Sequence, residues 1–192
     1  MKITQEKFDE MKAKALGAEI CHEWKRHLEE SNNFDELVKV SEWEEAYVLC
    51  EYADRVLKGR FEEGEATIST YAKTSYDYAR CVLKGRFEEG EEAIAKDPFY
   101  SYQYALDVIK GRFEEGEATI AKNSNYSYLY SYRVLKGRFL EGEEAIASQP
   151  DYSYLYARYV IEGRFEEGEA TIAKNSLYTR LYNDFLSTLS AN

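Results

Sequence analysis

Histidine is almost absent from this chain: His22 and His27 are the only two in 192 residues, and both lie outside its repeated part. No Ser/His/Asp or Cys/His arrangement can therefore be placed in a recurring setting, no strand pattern is evident, and no glycine-rich phosphate loop follows one. The residue types expected of an enzyme are missing, and no cofactor and no metal is expected. Cysteine is also scarce. Cys21, Cys50 and Cys81 form no tight spacing motif, and an odd number suits a reducing compartment better than a disulfide framework. Long hydrophobic runs are missing as well: no apolar stretch approaches the length that spans a bilayer, and the opening MKITQEKFDEMKAKALG is amphipathic rather than a signal peptide. A cytoplasmic location, with no membrane association, is the expectation.

Positive charge is in deficit. The formal net charge is −11, which disfavours direct nucleic-acid binding through phosphate neutralisation. An acidic surface suits a basic protein partner or, in the extreme, imitation of DNA, although about one net negative charge per repeat is ordinary for a soluble protein.

What the sequence has in abundance is repetition. KGRFEEGE begins at Lys58, Lys84 and Lys110, returns as KGRFLEGE at Lys136 and closes as EGRFEEGE at Glu162, a strict 26-residue period. A fixed period in this range marks an α-solenoid, whose units pack on their neighbours. In the third copy, Asp97 before Pro98 reads as an N-cap with proline at the first helical position, and Gly111 reads as the helix stop. This predicts helix A over Pro98 to Lys110, followed by a shorter helix B over Phe113 to Lys122. Glu114, Glu115 and Glu117 fall in the first turn of helix B, where the helix dipole favours carboxylates. A second glycine recurs inside helix B (Gly64, Gly90, Gly116, Gly142, Gly168). It costs about 1 kcal/mol relative to alanine, so a close approach to helix A is expected in return.

On this reading KGRFEEGE is a joint: the end of helix A, a turn, and the acid-rich start of helix B. Arg60, Arg86, Arg112, Arg138 and Arg164 are expected to pair with glutamates of the same or the adjacent copy, as a mostly solvated ladder contributing little per pair. The same register sets out an acidic edge of Glu63, Glu65, Glu89, Glu91, Glu115, Glu117, Glu141, Glu143, Glu167 and Glu169.

Helix A carries most of the 18 tyrosines. At about 100° per residue, Tyr126, Tyr130 and Val134 share one face and Tyr128, Ser131 and Leu135 another, with small Ser127 between them. Two apolar faces suit a helix sandwiched between neighbours, its tyrosines acting as wedges with hydroxyls at the edge. The remaining arc varies from copy to copy. Towards the C-terminus it becomes a stripe of Leu129, Leu155, Leu181, Tyr132, Tyr159 and Phe185 interrupted by Arg133 and Arg158. Leucine, tyrosine and arginine together on an exposed surface would form an interface core, unless helix B or the chain end covers the arc.

Residues 1–51 read as an N-terminal helical cap and residues 52–192 as five tandem helical-hairpin repeats with a polar closing helix marked by Asn183, Asp184 and Ser187. The cap divides into helices over Thr4 to Leu16, Ala18 to Glu30 and Phe34 to Val40, and Ser41 with Glu44 has capping-box spacing before the first helix A. Cys21, His22, His27 and Cys50 match no standard zinc spacing, which favours core cysteine and surface histidine.

Units such as FYSYQYALDVIKGRFEEGEATIAK and YSYLYARYVIEGRFEEGEATIAKN resemble the tandem KGRF/KGRW-type helical repeats of bacteriophages and large viruses, over roughly residues 52–192. The resemblance implies an all-α solenoid of viral origin without catalytic residues, and a small acidic protein of the host cytosol that acts on host proteins, including anti-phage defence. The leading expectation is a non-catalytic binding protein that captures or blocks a host protein. The alternatives are an acidic DNA mimic directed at a nucleic-acid-binding protein, and a sponge for small molecules such as nucleotides in tyrosine-lined gaps. Self-association through the leucine stripe stays open.

Overall fold

The computed structural model describes residues 3–41 and 44–190. It is an all-α repeat structure of solenoid type, with no strand among the described residues. The chain forms two compact units, Met1–Ile94 and Ala95–Asn192, a division that the unbroken 26-residue period does not mark. A repeat array has no single core, since each repeat is held chiefly by its neighbours, so five equal copies need not form one body.

The first unit begins with helices α1 (Gln5–Leu16), α2 (His22–Glu30) and α3 (Phe34–Ser41). Thr4 caps α1 through its side chain, and Phe8, Met11, Trp24 and Leu28 turn inward to form the cap core. The second helix starts four residues later than the sequence suggests. Serine 41 closes α3 and its side chain lies outside the described residues; the next helix opens at Glu45 with Glu44 as an N-cap residue that makes no side-chain bond. That helix is already the first helix A, which therefore begins seven residues before the period becomes visible at Tyr52.

Each helix A has two halves. In the third repeat an α-helical segment, Pro98–Gln103, continues into a π-helical segment, Tyr104–Ile109, and the same change occurs in the other four. Expected starts are found where the chemistry is strongest: the Asp97 side chain accepts from the N–H groups of Phe99 and Tyr100, and Asn123 accepts from Tyr126. Proline 150 also occupies a first-turn position, while its neighbour Gln149 forms no side-chain cap.

The helix stop is not the glycine. Lys58, Lys84, Lys110, Lys136 and Glu162 take the left-handed conformation, with φ between 51° and 56°, and no glycine has positive φ. In the third repeat the N–H groups of both Lys110 and Gly111 donate to the Ala105 carbonyl, the second at 3.1 Å. These five- and six-residue closures define the wide turn of the π segment. A left-handed L-residue costs roughly 1–2 kcal/mol, and a Cβ on Gly111 would meet nothing nearer than 4.0 Å. Replacing Lys110 by glycine should therefore stabilise the fold by about 1 kcal/mol, while Gly111→Ala should leave thermal stability nearly unchanged; thermal melts of the two variants check this.

Helix B is short: Glu62–Ile68, Glu88–Ile94, Glu114–Ile120 and Glu166–Ile172, with the fourth copy opening as a single 3-10 turn, Leu140–Gly142, before Glu143–Ala147. It packs on the helix A of its own repeat and on the following repeat of the same unit. Its glycine makes the close approach. A Cβ on Gly116 would stand 2.7 Å from Ser101 Cβ, 2.8 Å from Ser101 Oγ and 2.7 Å from Phe113 Cδ1. Gly90, Gly142 and Gly168 meet Ser75, Ser127 and Ser153 in the same way. Serine suits this site because it is small and can discharge its hydroxyl onto a neighbouring carbonyl: Ser127 Oγ donates to the Ile120 carbonyl at 2.9 Å, and Ser153 Oγ to that of Ile146 at 3.1 Å. The closing helix, Ser176–Ser190, is α-helical throughout. Asn183, Asp184 and Ser187 on it are exposed.

Candidate partner-binding face

The ten glutamates of the expected acidic edge separate into two sets. Glu63, Glu89, Glu115, Glu141 and Glu167 are exposed, whereas Glu65, Glu91, Glu117 and Glu143 are buried and Glu169 is half-buried. Within each unit, Glu65, Glu117 and Glu143 belong to a latch that a repeat makes with the next. Glu117 is 8% exposed and receives Arg112 through two bonds, Nε to Oε1 at 2.6 Å and Nη2 to Oε2 at 2.8 Å. Its Oε1 also accepts from the hydroxyl of Tyr130 in the following repeat, at 2.9 Å. The same hydroxyl accepts the Phe113 N–H at 2.9 Å, so the first backbone donor of helix B is satisfied by a side chain one repeat away. Glu65 with Tyr78, Glu143 with Tyr156 and Glu169 with Tyr182 repeat the arrangement.

Of the two expected arrangements, arginine pairs with the glutamate five residues on in its own copy; the arginine side of the ladder is exposed as expected, but its glutamates are buried in the first four copies and half-buried in the last. Half of the expected acidic edge is structural and already neutralised. The tyrosines are likewise not edge-reaching wedges at this position: Tyr78, Tyr130 and Tyr156 are fully buried, with rings packed on Phe87, Phe139 and Phe165. Burial, foremost, raises the Tyr130 and Tyr156 hydroxyls well above their ordinary pKa, the bond to glutamate raises them further, and the backbone N–H opposes it.

The variable arc also divides. Leu129, Leu155, Leu181 and Phe185 are half-buried and pack against the core of the second unit, which includes Tyr128, Ile146, Tyr154, Tyr156 and Phe165. Tyr132 and Tyr159 are each 45% exposed, and Arg133 and Arg158 are exposed beside them. All four sit in π segments, where the wide turn carries them off the stripe that a 3.6-residue period would draw.

These exposed groups are held in place. Tyr132 stacks on Tyr128 with centroids 5.9 Å apart and planes 6° apart, and meets Tyr159 of the next repeat at 6.1 Å. Arg158 lies over the rings of Tyr159 at 5.3 Å and Tyr154 at 5.9 Å, and donates to the Tyr154 hydroxyl. Arg133 lies beside the Tyr102 hydroxyl, which burial raises in pKa and this guanidinium lowers. Tyr102, Tyr128 and Tyr154 had not been singled out as part of this face. Their signal was present in the spacing of Tyr128 with Tyr132 and of Tyr154 with Arg158, four residues apart.

The N-terminal cap reverses two of four expectations. Cys50 is buried and His22 exposed, but Cys21 is exposed and His27 buried. Burial pushes the Cys50 thiol up to about 12, which makes it an unreactive core residue. Among the described residues no group of three or more His, Cys, Asp or Glu side chains could hold a metal ion, and no helix is long and apolar enough to cross a membrane. No protein-family model matches the chain, and neither a curated protein nor a solved structure matches it significantly.

Proposed function

We propose that this chain is a non-catalytic protein-binding repeat protein whose docking face is the exposed part of the variable arc, Tyr132, Arg133, Arg158 and Tyr159. The observation that carries this reading is the pair of tyrosines, 45% exposed each, with Tyr132 stacked on buried Tyr128 and Tyr159 held between Tyr132 and Arg158. Tyrosine and arginine are the residue types that dominate binding energy at protein interfaces, and rings fixed before binding lose little freedom on contact. The half-buried Leu129, Leu155, Leu181 and Phe185 support the face from below rather than forming it. The resemblance to viral KGRF-type repeats extends the proposal to a virally encoded inhibitor that occupies a host protein in the host cytosol.

The small-molecule reading is less well supported. Tyrosines of adjacent repeats stand 6.0–6.1 Å apart between ring centroids, in contact, so rings fill the gaps that a nucleotide would enter. The DNA-mimic reading loses the buried, arginine-paired half of its glutamates.

The test is capture from nuclease-treated bacterial lysate by the tagged protein and by Y132A/Y159A, with low- and high-salt washes and identification by mass spectrometry. A partner retained in high salt by the wild type and reduced at least tenfold by the double variant, with helicity unchanged, is expected. A partner released by salt and indifferent to the two tyrosines would overturn the reading in favour of the acidic surface.

A further inference from the structure

The arginine of each repeated joint follows one rule, while those elsewhere have other partners: Arg55 pairs with Glu51, and Arg80 lies over the Tyr76 ring at 5.2 Å. Arg60, Arg86, Arg112, Arg138 and Arg164 are each committed to the glutamate five residues on. Arg133 and Arg158 are exposed on the second unit and form no salt bridge among the described residues; their contacts are to tyrosines. Their places in the repeat are exchanged. Arg158 occupies the position that Tyr132 holds one repeat earlier, and Tyr159 the position of Arg133, so the tyrosine contact runs along one diagonal and the two arginines take the other. The result is a pair of tyrosine rings in tilted contact, their planes 57° apart, flanked by two cations. Asp107, which holds the Arg133 position one repeat earlier, acts on the Tyr102 hydroxyl in the opposite sense to Arg133.

Resting on the docking face proposed above, we infer that the partner presents a carboxylate-bearing peptide segment, an Asp or Glu flanked by apolar or aromatic side chains. Arg158 spends one N–H on the Tyr154 hydroxyl and has further guanidinium N–H donors left to offer a carboxylate. The apolar flanks cover Tyr132 and Tyr159. The acidic bulk of the chain repels a partner that is acidic overall, so the segment is a local acidic site on a protein of neutral or basic surface.

A random 12-residue peptide library displayed on phage is the probe, selected on the full chain, with enriched peptides synthesised and titrated against wild type, R133Q/R158Q and Y132A/Y159A. Peptides with Asp or Glu beside apolar residues are expected, and each double variant should weaken them at least tenfold while circular dichroism stays unchanged. Peptides that need the tyrosines but carry no carboxylate, or that bind R133Q/R158Q as well as wild type, would overturn the carboxylate inference and leave the docking face standing. Peptides indifferent to both variants, or no enrichment at all, would remove the face as well. A parallel titration with single-stranded oligothymidine covers the remaining class: binding that requires Arg133 and Arg158 would make the face a base-stacking platform and overturn the inference.

Discussion

Gly116→Ala should destabilise the protein by about 3 kcal/mol, the upper part of the range for overpacking a tight core. The added methyl would stand 2.7 Å from Ser101 Cβ and from Phe113 Cδ1, and both neighbours are at most 1% exposed, with nowhere to retreat. Alanine's better helix propensity returns about 1 kcal/mol, and the estimate is net of that. For a chain of this length the melting temperature should fall by roughly 6–12 °C. The informative comparison is Gly111→Ala in the same repeat, where the methyl has ordinary room. If the two alanines cost the same, the close approach of helix B to helix A is not what the second glycine provides. A further check is G116A combined with Ser101→Gly, which should recover part of the loss if the serine is the obstacle.

The second large effect belongs to the latch. Tyr130→Phe keeps the ring on Phe139 and removes only the hydroxyl, which accepts from the Phe113 N–H and donates to Glu117. Both partners are buried, so one backbone donor loses its acceptor and one carboxylate oxygen loses a donor. Leaving buried polar groups unsatisfied costs about 1–3 kcal/mol, and about 2 kcal/mol is expected here from chemical denaturation. The site of the damage distinguishes this variant from simple core loss. Amide hydrogen exchange should accelerate at Phe113 and through the first turn of the third helix B, while the α-helical half of the fourth helix A, Ser124–Leu129, is spared. Uniform acceleration through the second unit would mean that the hydroxyl is not a local tie. Because repeat arrays do not always unfold in one step, the exchange measurement is the more direct of the two.

Much of the fold was legible because its signals are local. The alternation of tyrosine-rich and glutamate-rich segments, Asp97 and Pro98 at a helix start, and the arginine five residues before its glutamate all act within one repeat. What was not legible depends on a neighbour. Glu115 and Glu117 are two residues apart in identical acidic company, yet one is solvated and the other buried, and only the placement of Tyr130 from the next repeat decides which. The candidate face was half legible for a related reason. A helical wheel assumes 3.6 residues per turn, and the second half of each helix A is π-helical, so Leu129 and Tyr132, drawn as one stripe, separate into a half-buried residue packed on the core and a surface residue.

The sequence by itself determined the 26-residue period, the all-α class, the two helices of each repeat and that each repeated arginine pairs with a repeated glutamate, since a pattern repeated five times has to serve contacts common to every copy. Only the tertiary structure decided that lysine rather than glycine takes the left-handed turn, that the second glycine yields to a particular serine, which glutamates are buried, and that two tyrosines and two arginines are left facing outward. Those outcomes are set by what the adjacent repeat places against each residue, and burial, unlike helix formation, is a property of the neighbours and not of the segment.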